Sequence, residues 1–265
     1  MTMNRFSTFV FVVATALILV FLIAPLLVVV SLSFSQNLLA TFPPKGFTFD
    51  WYAQVIAQED FQRSFKTSAL LAVASTFMSL MLATPAALAL NRGILPGAAI
   101  VETVLLSPMI LPILIAGLAL TQFTSSIGLH STMGNLFIGH TLITLPYVLR
   151  TVTASLKQLD HSLEEAASTL GASSMTIFWL ITIPQIMPGL VAGCIFSFMI
   201  SFDDFSLSFW LSNTETEPLP VFLHNKMASV FDPSIATMSS LMIAVGVIVV
   251  LLIERIVGLR KAMGV

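Results

Sequence analysis

Long runs of apolar residues alternate along the chain with short polar stretches. A helix crosses the apolar core of a bilayer, about 30 Å thick, with about 20 apolar residues. Six runs reach that length and predict six membrane-spanning helices at about residues 9–33, 65–90, 98–127, 133–153, 188–211 and 235–257. The sequence shows neither an internal repeat nor a low-complexity linker, so we expect one all-α transmembrane domain over residues 1–265.

The first apolar run begins like a signal peptide, because Arg5 stands directly before it. It then continues without a charged residue from Phe6 to Ser33, which is longer than the apolar region of a signal peptide. No small-residue cleavage site follows it. We therefore expect an uncleaved first span.

The positions of the basic residues predict the orientation of the spans. If the N-terminus is cytoplasmic, the segments on that side contain seven Lys and Arg residues, against four on the outer side. The inner set is Arg5, Arg92, Arg150, Lys157, Arg255, Arg260 and Lys261, and the outer set is Lys45, Arg63, Lys66 and Lys226. Cytoplasmic loops carry the excess of positive charge, so we expect both termini in the cytoplasm.

Composition excludes several classes of protein. Hydrophobic residues make up 57% of the chain and charged residues 9%, with a mean hydropathy of +0.98, whereas about a quarter of a soluble domain is charged. The net charge of −2 and the scattered basic residues argue against a nucleic-acid partner. The single cysteine, Cys194, lies in an apolar run and excludes a disulfide or a paired-cysteine metal site within one chain.

Several predicted spans contain proline, notably Pro85, Pro108, Pro112 and Pro146. Each proline removes a backbone donor and bends its helix, which a membrane tolerates only where protein or a water-filled cavity satisfies the freed carbonyls. Bent helices favour a transport pathway, although ordinary kinked packing is the commoner explanation of any single proline. Pro108 and Pro112, four residues apart, favour the pathway more strongly.

The polar connection at about residues 158–185 predicts two short helices. Ser162 and Glu165 have the spacing of a capping box, and Gly171 is typical of the left-handed residue that ends a helix, so the first helix is predicted over residues 163–170. The second is predicted to begin at Ser173 or Ser174 and to end at Pro184. Such short helices are unstable alone in water, so they dock either on a partner or on their own subunit.

This connection resembles the EAA loop of binding-protein-dependent ABC importer permeases, whose pattern is E-A-A-x3-G-x9-I-x-L-P. The matching residues are Glu165, Ala166, Ala167, Gly171, Ile181 and Pro184, and Ile183 stands where leucine is usual. The exchange of leucine for isoleucine preserves apolar bulk. Seven specified positions over 20 residues, placed just before the penultimate span, make the resemblance specific.

The resemblance implies a MetI-like permease of six spans whose loop forms a coupling helix in a groove of the ATPase subunit. The implied coupling residues are Glu164, Glu165, Ala166, Ala167, Gly171, Ala172, Ile181 and Pro184. Glu165 would both cap the helix and face the ATPase. The implied partners are an ABC ATPase dimer, which binds ATP and Mg²⁺, a second permease of different sequence, a periplasmic solute-binding protein and the lipid membrane. No cofactor is expected in this chain.

Weaker signals resemble the polyamine, opine and phosphonate group of these permeases, and most of all the second permease of spermidine/putrescine importers. They are Trp51-Tyr52, the run Ser201-Phe202-Asp203-Asp204-Phe205 and Pro218-Leu219-Pro220. The implied function is import of a polyamine such as putrescine or spermidine from the periplasm to the cytoplasm. An opine, 2-aminoethylphosphonate or another small solute remains an alternative.

Asp203 and Asp204 are adjacent carboxylates inside the predicted fifth span. An ionisable residue in a span indicates a function, and a carboxylate pair suits a cationic amine. Alternatively, the pair lies at the outer interface, solvated or near Lys226. The candidate pathway residues are Asp203, Asp204, Phe202, Tyr147 and Phe205, whose aromatic members either flank an ammonium group or simply pack.

Two other polar residues in the spans have simpler explanations. Glu102 falls near the cytoplasmic end of the third span, where it either extends to the interface or pairs with Arg92. We expect His140 to be buried with its hydrogen bonds satisfied.

Known catalytic motifs are absent from the sequence. It contains no GxxxxGK[ST] loop to bind ATP, neither HExxH nor GxSxG, and its four histidines are widely dispersed. We therefore expect a non-catalytic subunit in the bacterial inner membrane. The rival class is an ATP-independent secondary transporter, which kinked spans and buried carboxylates also suit but which has no need of the EAA loop.

Overall fold

The structure, a computed structural model, describes residues 5–37, 41–229 and 232–257. Within these ranges the chain forms α1 (Arg5–Leu32), α2 (Asp50–Ala57), α3 (Glu59–Asn91), α4 (Ala98–Leu106), α5 (Ile113–Ser126), α6 (Thr132–Leu156), α7 (His161–Thr169), α8 (Ser174–Ile177), α9 (Ile183–Phe202), α10 (Ser208–Leu211), α11 (Leu219–Ser229) and α12 (Pro233–Val257). A 3₁₀ turn (Ser107–Met109) follows α4, and a π-helical turn (Phe178–Thr182) joins α8 to α9. Arg260 and Lys261, which contribute to the predicted orientation, lie outside the described residues.

Five helical stretches in the described part of the chain are long and apolar enough to cross a membrane: α1, α3, α6, the run from α8 through α9, and α12. The spans predicted at 9–33, 65–90, 133–153 and 235–257 are confirmed as α1, α3, α6 and α12, with ends that differ by a few residues. A sixth span is counted only if the bent pair α4 and α5 crosses the membrane together.

The predicted third span, 98–127, is not one straight helix. Its two halves, Ala98–Met109 and Ile113–Ser126, meet at an angle of 103°. The second half begins after Pro112, whose backbone is non-helical with ψ 118°. Because Pro112 has no amide hydrogen and its ring would clash with the carbonyl four residues earlier, the first half ends before it and the second starts anew.

The predicted fifth span, 188–211, is wrong at both ends, because the helical run extends from Ser174 to Phe202. Pro184 does not end the second loop helix. The π-helical turn lies just before it and is wider than an α-turn, which makes room for the proline ring, so Pro184 lies in the first turn of α9 within a continuous helical run. The run ends at Phe202, since Asp203 leaves the helical conformation.

The chain divides into two compact units, which are described separately. The first contains Met1–Gln62 and Leu223–Val245. In it the Tyr52 hydroxyl forms hydrogen bonds of 2.7 Å with both Ser33 and Ser240. The Trp51 indole donates to the Ser35 carbonyl at 3.0 Å. The Trp51-Tyr52 pair thus fixes α2 against the end of α1 and the first part of α12.

The second unit contains Arg63–Phe222 and Gly246–Val265, and its core forms where α3, α6 and α9 meet. Small residues allow α9 to approach α6 closely. A Cβ atom at Gly193 would lie 2.7 Å from the Thr151 hydroxyl oxygen. Close backbone approach through small residues is a common way to pack helices in a membrane. The buried residues of this core are Ala83, Ala87, Val148, Leu149, Val152, Leu156, Leu159 and Ile186.

Candidate coupling loop and solute pathway

The first helix of the loop, α7, begins two residues earlier than the sequence predicts. Asp160 is its N-cap, and the Asp160 carboxylate accepts a hydrogen bond of 3.0 Å from the Ser162 amide. The predicted capping box of Ser162 and Glu165 is therefore wrong, because Ser162 is the donor inside the first turn. Hydrogen bonds from the Ser162 side chain and backbone lower the pKa of the Asp160 carboxyl below its usual value, so they stabilise its charged form.

The turn after α7 is built as predicted around Gly171, which has a φ of +86°. The Gly171 amide donates to the Ser168 carbonyl and the Ala172 amide to the Ala167 carbonyl, both at 3.0 Å. These two bonds define a Schellman motif, in which a left-handed residue satisfies the last carbonyls of a helix. Ala167 and Ala172, two of the predicted coupling residues, therefore stabilise this turn through their backbone groups.

The second helix of the loop, α8, begins at Ser174 after the N-cap Ser173, whose hydroxyl accepts a hydrogen bond from the Thr176 amide at 3.2 Å. This start agrees with the prediction. Two further motif residues, Ile181 and Pro184, lie in the π-helical turn and in the first turn of α9. The second half of the motif is thus continuous with a membrane span.

The two adjacent glutamates of α7 have different surroundings. The Glu165 side chain is exposed. The Glu164 side chain is 16% exposed, and its carboxylate contacts the Arg92 guanidinium at 3.2 Å and the Thr182 hydroxyl. Of the two alternatives for Glu102, the pairing with Arg92 is not the one observed, since Arg92 pairs with Glu164 and Glu102 lies exposed on α4. Of the two glutamates, Glu165 is the one exposed to solvent.

The loop exposes large apolar side chains around Glu165 and Ala166. Leu163, Leu170 and Met175 are all exposed, and Leu170 reaches 88%. Exposed apolar residues on an otherwise polar surface indicate a contact site for another protein. We call Leu163, Glu165, Ala166, Leu170 and Met175 the docking surface.

The loop is also anchored to its own span. The Gln185 side chain of α9 accepts a hydrogen bond of 3.0 Å from the Asp160 amide at the start of α7. Leu159, one residue earlier, is buried in the same cluster as Ile186 of α9. The base of α7 is therefore held against α9, while the docking surface remains exposed.

Asp203 and Asp204 follow the last residue of α9 and differ in exposure. The Asp204 carboxylate is buried and accepts hydrogen bonds from the Leu207 amide at 3.1 Å and the Ser208 amide at 2.9 Å. It therefore holds the turn that leads into α10. Asp203 is exposed. The two adjacent carboxylates, predicted as a pair, therefore differ in exposure, and the Asp204 carboxylate accepts backbone hydrogen bonds within the turn.

A buried polar network surrounds this turn. The ring of His140 on α6 forms hydrogen bonds with the Ser201 hydroxyl at 2.7 Å and the Ser208 hydroxyl at 3.0 Å. Ser75 of α3 donates to Ser201 at 3.0 Å. His140 is thus buried and satisfied, as expected, and it connects the two sides of the turn at Asp203 and Asp204.

The predicted aromatic pathway residues are not equally accessible. Phe202 is buried, with its ring centroid 5.6 Å from that of Phe198 and 6.0 Å from that of Phe65, so its side chain does not line an open surface of this subunit. Phe205 is half-buried beside Phe209 at 5.4 Å, and Tyr147 is half-buried on α6. Phe205 and Tyr147 remain candidates for a solute path.

An apolar groove of about 540 Å³ lies beside the π-helical turn. Its lining residues are Leu80, Met81, Thr84, Pro85, Phe178, Trp179, Ile183, Met187, Leu190, Val191, Cys194 and Ile253. Burying a charged amine among such side chains would cost several kcal/mol or more, so this groove is unsuited to a cationic solute. Cys194 lies in its wall.

Together, several apolar spans and a loop that carries the EAA pattern and continues into one of them define a membrane permease of the kind driven by a separate subunit. Residues 64–262 match the family described as "Binding-protein-dependent transport system inner membrane component", and the chain belongs to that family. It is a non-catalytic, multi-pass inner-membrane permease subunit of an ABC importer.

Two relatives are similar over most of their length. The putrescine transport system permease protein PotI of Escherichia coli strain K12 is 29% identical over 236 residues, which cover 86% of this chain and 84% of PotI. The spermidine/putrescine transport system permease protein PotC of Haemophilus influenzae is 27% identical over 257 residues, which cover 96% of this chain and 98% of PotC.

A solved structure has the same fold. It is the crystal structure of a bacterial ABC transporter involved in the import of the acidic polysaccharide alginate, with a TM-score of 0.72 and 18% identity. The likeness covers 96% of this chain and 99% of the other. The predicted all-helical, MetI-like permease fold is therefore confirmed.

Proposed function

We propose that the chain is one of two permease subunits of an importer that moves a polyamine, such as putrescine or spermidine, from the periplasm to the cytoplasm. The observation that carries this proposal is the similarity to PotI and PotC over more than four-fifths of the chain. The exposed carboxylate of Asp203, next to the end of a span, adds a group that attracts a cationic amine.

The proposed assembly supplies what this chain lacks. An ABC ATPase dimer binds ATP and Mg²⁺ and covers the docking surface on α7 and α8. A second permease of different sequence completes the pathway, and a periplasmic binding protein delivers the solute, as the family's description implies. In this arrangement both termini and the α7–α8 loop face the cytoplasm.

ATP-driven closure of the ATPase dimer would displace the docking surface. Because α8 continues through the π-helical turn into α9, with Gln185 and Leu159 holding the base of α7 in place, the displacement would tilt α9 as a rigid element. Such rigid-body movement exchanges access between the two sides of the membrane.

The solute path proposed for this subunit passes Asp203, Phe205 and Tyr147. Asp203 contributes charge, and the two rings offer faces for cation–π contact with an ammonium group. Asp204 and Phe202 contribute indirectly, because both are buried and hold the end of α9 in shape.

Reconstitution tests the proposal. The permease pair and ATPase are placed in liposomes, the binding protein is added on one side, and uptake of radiolabelled putrescine is followed with and without ATP. We expect uptake to require both ATP and the binding protein, and to stop when the ATPase carries a substitution that blocks hydrolysis. Equal uptake without the ATPase would show a secondary transporter. ATP-driven uptake of 2-aminoethylphosphonate or an opine, but not putrescine, would assign a different solute.

A further inference from the structure

Glu164 lies on α7 directly beside the docking surface, yet its side chain turns away from that surface. Its carboxylate meets three groups within the second unit. They are the Arg92 guanidinium at 3.2 Å, the Thr182 hydroxyl, and the His161 ring at 3.5 Å. His161 belongs to α7 itself, whereas the other two belong to different parts of the chain.

Thr182 and Arg92 lie next to the ends of two different spans. Thr182 is fully buried and is the last residue of the π-helical turn that leads into α9. Arg92 directly follows α3, and its amide still donates to the Leu88 carbonyl of that helix at 3.0 Å. One carboxylate therefore connects α7 to the beginning of α9 and to the end of α3.

The contacts of Glu164 are directional, and its own side chain is only 16% exposed, whereas that of Arg92 is 47% exposed. A charged acceptor with two donors from separate helices forms stronger hydrogen bonds than neutral groups do, and partial burial reduces screening by salt. The anchor from Gln185 holds only the start of α7, at Asp160. Among the residues that the structure describes, Glu164 is thus the side chain whose hydrogen bonds connect the body of α7 to both spans.

We propose that Glu164 is a positioning residue that makes α7, α9 and the end of α3 move together when the ATPase displaces the docking surface. The proposal rests on the proposed ATP-driven assembly. It assigns different roles to neighbouring glutamates, since Glu165 contacts the ATPase and Glu164 carries the movement into the permease. Loss of Glu164 then leaves docking in place but separates hydrolysis from transport.

The experiment compares E164Q with the matched variant E165Q in the reconstituted importer. For E164Q we expect the ATPase to copurify with the permease as in the wild type, while the amount of solute taken up per ATP hydrolysed falls by about tenfold or more. For E165Q we expect weaker copurification instead. An E164Q importer that keeps the wild-type ratio would overturn the proposal, as would one that loses the ATPase.

A charge exchange separates a specific junction from general damage. The double variant E164R with R92E rebuilds the ion pair in reverse, and we expect it to recover more of the uptake ratio than either single variant. Failure of the double variant to improve on both singles would contradict a role for the pair.

A distance measurement follows the movement directly. Spin labels are placed at Ile94 and Ser168, both exposed, in a Cys194→Ser background. We expect a narrow distance distribution with and without ATP in the otherwise wild-type importer, and a broad one in E164A. Equal widths would overturn the proposal. If the wild-type importer shows no ATP-driven uptake of any solute, the proposed function itself fails, and this outcome is distinct from the others.

Discussion

Gly189 of α9 lies directly against the backbone of Thr151 on α6, so that a Cβ atom at Gly189 would stand 2.5 Å from the Thr151 carbonyl oxygen. Because that oxygen is part of a helix backbone, it cannot move aside as the end of a side chain can. The two helices would have to separate to admit even a methyl group. This contact makes the packing of α9 on α6 sensitive to one residue.

We predict that Gly189→Ala lowers the free energy of unfolding by about 1–3 kcal/mol, the usual range for overpacking. The measurement is equilibrium unfolding of the purified permease in detergent micelles. The matched control is Gly246→Ala, where the added Cβ would meet only the flexible end of Met199, at 2.9 Å. The control should change stability by less than about 0.5 kcal/mol. Equal losses in both variants would contradict the prediction.

Gly171 provides a second prediction, because its φ of +86° is costly for residues with a side chain. We expect Gly171→Val to cost about 1–2 kcal/mol in the turn after α7 and to reduce ATP-driven uptake. Gly171→Asn should retain most uptake, since asparagine tolerates the left-handed region. The two variants are compared by uptake into proteoliposomes. If valine and asparagine were equally harmful, the backbone conformation would not be the cause.

The N-cap of α7 can be tested with two variants, each of which replaces one polar side chain with alanine. Asp160→Ala removes the acceptor of the Ser162 amide and should cost about 0.5–2 kcal/mol of local helix stability, whereas Ser162→Ala retains that amide and should cost much less. Hydrogen exchange of the α7 amides measures the difference. Greater loss of protection in Ser162→Ala would restore the capping box predicted from the sequence.

The acidic cap also has a pH dependence of known sign. The pKa of the Asp160 carboxyl is lowered in the folded protein, so its contribution is present above the unfolded pKa, 3.8, and is lost as the pH falls through the lower folded value. The protection of α7 against exchange should therefore stay constant across the neutral range. It should decrease only in strong acid, and Asp160→Asn should remove this acid-dependent part.

Asp203 and Asp204 should differ when each is changed alone. We expect Asp203→Asn to reduce uptake of a cationic solute by about tenfold with little change in stability, because the side chain is exposed. Asp204→Ala should instead lower thermal stability, because it leaves two backbone donors at the start of α10 without their acceptor. Uptake and thermal unfolding are measured on both variants. Unchanged transport in Asp203→Asn would remove that carboxylate from the pathway.

The positions of most spans follow from the sequence because burial in a bilayer imposes a local requirement on every residue of a segment. Whether a proline bends or interrupts a helix depends on residues outside its own segment. Pro85 and Pro146 lie inside continuous helices, whereas Pro112 stands at a bend of 103°. The difference depends on whether neighbouring groups satisfy the freed carbonyls, and the sequence of one segment does not contain that information.

The cap of α7 shows the same limit on a smaller scale. Asp160 and Ser162 are both good N-cap residues, and only Ser162 has a glutamate three positions later. The earlier start prevails because Gln185, 25 residues further along the chain, accepts the hydrogen bond of the Asp160 amide. Likewise, the sequence matches Glu165 to the loop pattern but does not show that Glu164 contacts Arg92 and Thr182, which lie 72 residues before it and 18 residues after it in the chain.

The π-helical turn at Phe178–Thr182 sets the angular relation between the loop and the span that follows it. A π turn contains one residue more than an α-turn, and one residue of an α-helix corresponds to a rotation of about 100°. Deleting a single residue here would leave the chain helical throughout. It would nevertheless turn the Gly189 and Gly193 face of α9 away from α6 whenever α7 was correctly docked. The extra residue thus sets the rotation of α9 about its own axis relative to the loop, so that the loop and the packed face of α9 are both correctly oriented.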